Sequence, residues 1–240
     1  VIKADAPITG QQPSEMSKED FSFQYGALGR IIAWSVFLLG VAYAVITLLG
    51  FISLKSPQEP IGDPYFLLME LLILLMAPLM VVVMVVVHAY ASAEKKIYSW
   101  AALIFMVLMA GITSSNHFVI LTVGRMAVTD LGWFSALFSF QWPSVAYALD
   151  ILAWDWFFAL SMLCAAPIFE GDRLERLVRT LMLVSGGLSL IGLLGVPLAN
   201  MQIRNIGIIG YGVVAPIVFL LLGMVFGRVN AVFKSAQFKS

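Results

Sequence analysis

Four ionisable side chains, Glu70, His117, Asp150 and Asp155, interrupt long apolar runs of this sequence. Ser114 stands three residues before His117, and Arg125 follows eight residues after it. An imidazole beside carboxylates can pass a proton, hold a cation, or bind a polar solute through matched donors and acceptors. In hydrocarbon such groups cost about 2.5–3.5 kcal/mol each on insertion scales, so they need partners or water. The same groups can also serve only to join helices by hydrogen bonds. Imidazole and carboxylates suit Zn, Mn or Fe, but Glu70, His117 and Asp150 form no local ligand motif of the HExxH kind. The single Cys164 excludes a cysteine cluster. His88 and His117 belong to opposite ends of their runs, which keeps them from clasping one haem iron. No metal site is therefore expected, and the sequence names no cofactor.

Helix geometry sorts these residues into faces. Thr113 and Ser114 share a face with His117 at i,i+4 and i,i+3, and Asn116 is turned about 100° away. Asp150 and Asp155 are separated by about 140° on an α-helix and are expected to face different neighbours.

The elements that must position them follow from composition. The 240 residues are 61% hydrophobic and only 12% charged, against roughly 25% charged in a soluble domain. Such a chain cannot cover a water-facing surface of its own size. Lys and Arg number 14, as do Asp and Glu, so no global basic field exists for nucleic acid. A bilayer core needs about 20 apolar residues as helix, and six runs meet this: 28–54, 65–90, 97–123, 144–169, 177–198 and 206–229. A β-barrel would alternate apolar and polar residues, whereas 71–87 is an unbroken apolar block apart from Pro78. The expected fold is all-α: a polytopic integral membrane protein with a six-transmembrane-helix bundle over 28–229.

Residues 1–27 are polar, lack the apolar core of a secretory leader, and read as a solvated tail; 230–240 form a second tail. Six spans put both termini on one side. That side carries eleven Lys and Arg residues and the other three, namely Lys55, Arg125 and Arg204. Positive charge marks the cytoplasmic side, so both termini are expected in the cytoplasm, in a plasma or bacterial inner membrane. Between spans 3 and 4, the outer segment 124–143 holds Leu131, Trp133, Phe134, Phe138, Phe140 and Trp142. Its aromatic residues suit a short interfacial helix over 131–140, either a resting connector or a lid. Gly223 and Gly227 form a GxxxG pattern that fits close helix packing, inside the bundle or between copies.

Depth brings the polar residues to one level. Glu70 is five residues in from Tyr65, His117 six from Val123 and Asp150 six from Ser144. At about 1.5 Å per residue, all three lie roughly 8–9 Å below the outer boundary. Asp155 lies deeper, and Arg125 stands at the mouth. Glu70, Ser114, His117, Asp150, Asp155 and Arg125 are thus the expected binding residues of a small-solute or ion site, with transport as one use. A non-catalytic subunit of a larger membrane complex is the alternative, and a lipid-acting membrane enzyme with His117 as base a further one. The bilayer itself, and a homo-oligomer or larger complex, are the expected partners.

Overall fold

The structure, a computed structural model, describes residues 23–56, 59–124 and 136–237. The described residues form helices joined by short connections. Six of these helices are long and apolar enough to cross a membrane by length and composition. We label them α1 (Phe23–Ile52), α2 (Tyr65–Tyr90), α3 (Ala93–Gly124), α4 (Val145–Ile168), α5 (Arg173–Leu193) and α6 (Met201–Arg228, running on to Gln237). Their apolar side chains favour helix because it satisfies each backbone amide within the segment.

Polar residues set the starts. Asp63 Oδ1 accepts from the Leu67 amide at the head of α2. Ser144 Oγ accepts from the Tyr147 amide to begin α4. Asn200 Oδ1 accepts from the amides of Gln202 and Ile203, so α6 begins at Met201. That is five residues before its apolar run, and it carries Arg204 into the helix. Asp172 caps α5 by accepting from the Glu175 amide at 2.9 Å, while Glu175 accepts from the Gly171 amide at 2.8 Å. A cap of this kind satisfies amides that the first helical turn cannot.

Consecutive helices pack side by side, and α6 returns to close on α1, so the six form a ring in chain order. The closing seam is tight because α6 lacks side chains where α1 crosses it. Trp34 lies over Gly223 and donates from Nε1 to the Leu220 carbonyl at 3.2 Å. Arg30 lies beside Gly227, and Gly29 faces Phe226 and Val86. The Gly223–Gly227 stripe is therefore used inside the bundle.

Both described chain ends lie at one end of the ring, called here the terminal end; the other is the distal end. The terminal half is packed solid by Met84, Met106, Phe158, Met162, Met182 and Phe226, all fully buried. The outward faces carry Ile31, Leu38, Leu75, Val85, Ile104, Leu183 and Val213. Arg30, Lys95, Lys96, Arg173, Arg176, Arg179 and Arg228 gather at the terminal end, where Lys95 pairs with Glu170 at 3.4 Å and Arg228 with Asp172 at 2.7 Å. His88 is at this end too, 2.8 Å from Ser99 Oγ through Nδ1.

Asp172 offers a check on the terminal end. The Glu175 amide, then Arg228, hold its carboxyl below the usual Asp range. A depressed folded value contributes stability that is present above the unfolded pKa, about 3.9, and lost as pH falls through the folded value. The ion pair is exposed and contributes little, so the cap dominates. Asp172→Ala is expected to lower stability by about 1 kcal/mol at neutral pH. The loss should vanish in the acid, where wild type has also lost its carboxylate. Melts in mild detergent across the acid range test this; an equal loss at every pH would mean that the carboxylate is not the cap.

Candidate functional site

A cavity of about 1220 Å³ occupies the distal half of the ring, with walls from α1, α2, α3, α4 and α6. One face of α1 supplies Val36, Gly40, Tyr43 and Thr47, and one face of α2 supplies Met69, Glu70, Ile73 and Met76. These steps of three and four residues are the period of a single helix face. Residues 54–56, 59–61 and 138–141 border it at the distal end. Most of the wall is apolar or aromatic, and the charged side chains within the bundle are gathered in one region.

There Glu70, His117, Asp150, Arg204 and Asp155 form a connected series across α2, α3, α4 and α6. His117 Nδ1 lies 2.8 Å from Glu70 Oε2. A carboxylate can only accept, so with Glu70 ionised this nitrogen carries the proton and donates it. His117 Nε2 faces Asp150 Oδ1 at 3.5 Å. Arg204 Nη2 stands between two carboxylates, 3.8 Å from Asp150 Oδ2 and 3.6 Å from Asp155 Oδ2. Both are longer than the 2.7–2.9 Å of a tight charge-assisted hydrogen bond. Glu70, His117, Arg204 and Asp155 are all buried, at 3%, 2%, 2% and 0% exposure. His117 Nε2, Arg204 Nε, both Asp155 oxygens and Ser189 Oγ have no hydrogen-bond partner within the described residues.

Aromatic rings complete the surroundings. The Arg204 guanidinium lies over Tyr147 at 4.9 Å and near Tyr211 at 6.0 Å, within the range of cation–π attraction. Phe140 stacks on His117 at 5.2 Å between ring centroids and meets Phe66 and Tyr147 edge-on. Thus part of the 124–143 segment does lie against the bundle. Residues 136–138 are helical and 139–140 are not; residues 131–135 of the expected interfacial helix are outside the described residues.

The backbone explains why Asp150 and Asp155 meet one partner, contrary to the 140° expectation. Leu152–Phe158 is π-helical. Its i→i+5 bonding widens the turn, so residues five apart return towards the same side. Two further π-helical stretches, Ile120–Gly124 after His117 and Ile209–Val214 after Arg204, lie beside the same region. Such widened turns mark functional sites more often than chance.

Four of the residues named from sequence are therefore together: Glu70, His117, Asp150 and Asp155. Ser114 is not with them. It is half-buried and absent from the cavity wall, while its neighbours Thr113 and Asn116 turn to Met109 Sδ and the Ala146 carbonyl. Arg125 lies outside the described residues. The residue that sequence reasoning missed is Arg204, which was counted among the outer bases. Asn200 was the available signal, because a capping residue there starts the helix early enough to bury Arg204. Tyr43, Tyr147 and Tyr211 were also missed, since tyrosine in an apolar run carries no charge to draw notice. No three His, Cys, Asp or Glu side chains among the described residues converge to hold one metal ion. No known protein family, curated protein or solved structure matches the chain.

Proposed function

We propose that this chain is a multi-pass membrane protein that binds a polar or ionic small solute in the outer half of its bundle and serves its transport. One observation carries the reading: a large, mostly apolar cavity with buried Glu70, His117 and Arg204 and half-buried Asp150 meeting at its wall. Helices that need only be joined do so most cheaply with closed hydrogen bonds. Here Glu70 and His117 close at 2.8 Å, but the contacts to Asp150 and Asp155 stand at 3.5–3.8 Å, and several charged atoms have no direct partner among the described residues. Buried charge so loosely paired is a poor source of stability, which favours a use in binding.

The apolar girdle on every helix supports the bilayer setting, because soluble monomers rarely expose contiguous apolar patches of such extent. With Arg204 buried, Lys55 is the one described exposed base at the distal end, against seven bases at the terminal end. That contrast supports cytoplasmic termini in a cell membrane. Residues 138–141 serve as the inner edge of an interfacial lid.

The test uses sealed vesicles of known orientation. On a Cys164→Ala background, Thr47→Cys places a thiol on the cavity wall near its mouth. A membrane-impermeant thiol reagent should label it from the face opposite a reporter fused after Ser240, and not from the reporter's own face. Labelling from the reporter's face would overturn the orientation. A thiol shielded from both faces, with other chains co-purifying in mild detergent, would favour the accessory-subunit reading instead.

A further inference from the structure

We propose that the solute is a membrane amphiphile, a lipid with a hydrogen-bonding head and a hydrocarbon chain, and that it enters sideways from the distal leaflet through a slot between α1 and α6. This rests on the reading of the cavity as a solute site and adds the chemical class and the route. The polar group met by the charged series is then the head of the lipid. Three separate features lead to it.

The first is a seam that closes at one end and parts at the other. The stripe of α6 that faces α1 runs through Ile208, Gly212, Pro216, Leu220, Gly223 and Gly227, at the steps of one helix face. Towards the terminal end the seam is shut. Arg30 covers Gly227, and Trp34 covers Gly223 and bonds the Leu220 carbonyl. Pro216 meets Gly40, whose β-carbon would lie 3.4 Å from the proline ring. Beyond Pro216 the helices part. A β-carbon on Gly212 would have Ile208 of its own helix within 4 Å, and no described atom of α1. Gly212 and Ile208 are exposed and border the cavity, as do Tyr43 and Thr47 across the gap on α1.

The second is depth. Gly212 is six residues into the apolar run that begins at Ile206, and Pro216 is ten. These steps are about 9 and 15 Å along the helix, and a hydrocarbon core is about 30 Å thick. The parted stretch therefore lies within the distal leaflet, where the medium is acyl chain rather than water. Its outward rims are apolar: Val45 and Leu48 on α1, Ile209 and Val213 on α6, all exposed.

The third is the order of polarity along the cavity. Lys55, Glu59 and Gln141 border the distal mouth, and Glu70, His117, Asp150 and Arg204 come next. Deeper, the lining is apolar, from Ile73 and Met76 to Val36, Met80 and Phe219. Ten residues of α2 separate Glu70 from Met80, about 15 Å of chain-lined depth. Head above and chain below is how a lipid of the distal leaflet already stands, so entry needs sliding and no inversion. The volume of about 1220 Å³ exceeds the roughly 300–1,000 Å³ of ordinary small-molecule pockets, as a chain-bearing guest requires. The head meets carboxylate acceptors and a guanidinium donor together, which suits a group that both donates and accepts.

A photoreactive lipid tests the route. The full chain is placed in phosphatidylcholine vesicles containing phosphatidylcholine with a diazirine midway along one acyl chain. After irradiation, adducts are mapped by mass spectrometry. Adducts should appear on Val36, Met80 and Phe219, each 2% exposed and facing the cavity, as well as on outward Val45 and Val213. Gly212→Phe fills the slot and should lose most of the cavity adducts while keeping the outward ones, which shows that the variant is folded. Val213→Phe, one residue along on the outward face, should keep both sets. If Gly212→Phe does not fold, Ile208→Trp on the same stripe takes its place with the same expectation. Adducts confined to outward residues overturn the lipid as solute. Cavity adducts undiminished by filling the slot overturn the route between α1 and α6. In the first case the Thr47→Cys labelling tells whether the cavity reading falls as well: a thiol reached from the outer face keeps it, and a shielded one does not.

Discussion

Arg204→Met is expected to destabilise the protein by about 3–5 kcal/mol, because it leaves buried carboxylates without their cation. Arg204 is 2% exposed and is the guanidinium within reach of both Asp150 and Asp155. Asp155 is 0% exposed and neither of its oxygens has a hydrogen-bond partner among the described residues. Without Arg204 it would stand as an isolated charge or take up a proton. Methionine keeps most of the side-chain volume and can still rest on Tyr147, so the loss reports charge more than packing. The diagnostic is rescue. In the double variant Arg204→Met/Asp155→Asn the stranded charge is gone, and most of the lost stability should return, a coupling that adjacent sites show and distant ones do not. Asp63→Asn with Arg204→Met should give no such recovery, since Asp63 serves the head of α2, where its Oδ1 accepts from the Leu67 amide. Unfolding in mixed detergent measures all three. A single variant as stable as wild type, or a double variant as unstable as the single, would mean that Arg204 does not neutralise Asp155.

That Arg204 escaped the sequence reading shows where such reading stops. Apolar runs report the part of a helix that contacts hydrocarbon or core. The run of α2 coincides with its helix, Tyr65–Tyr90, because Asp63 and Pro64 stand immediately before it. The run of α6 does not, because the first turn after Asn200 faces α4 and α5 rather than an apolar medium, and there Arg204 is tolerated. Depth counting placed Glu70, His117 and Asp150 at one level, since rise per residue is nearly constant along any helix. The same arithmetic separated Asp150 from Asp155, because rotation per residue is what a π-helical turn changes. No local composition signals that change. The widened turn sets Trp154 and Phe158 against Tyr211 across the ring. Ser114 was placed correctly on a helix face, but the face that points into the bundle at that level is set by Asn116 and His117.

Gly192→Val is expected to cost about 3 kcal/mol, the upper part of the range for overpacking a closed contact, with backbone shifts that reach the site. α5 and α6 cross so closely that a β-carbon at Gly192 would lie 2.5 Å from the Gly207 nitrogen and 2.9 Å from the Arg204 carbonyl oxygen. The obstacle is backbone, which cannot rotate aside as a side chain can. Relief requires the helices to part at the turn that carries Arg204. At Gly207 itself the obstacle is the Asp155 carboxylate, so Gly207→Ala displaces a side chain of the charged series rather than a helix. The two variants should therefore differ in kind. Gly192→Val should lower stability most, and Gly207→Ala should lose less when paired with Asp155→Ala, which removes the obstructing carboxylate. Gly187 is the control, on the same helix with no heavy atom within 4 Å of where a β-carbon would sit. Gly187→Ala should be neutral or stabilising, by up to about 1 kcal/mol from helix propensity alone. If Gly192→Val proved as harmless as Gly187→Ala, α5 and α6 would not meet at these glycines. The α5–α6 contact would then have no part in holding Arg204 between Asp150 and Asp155.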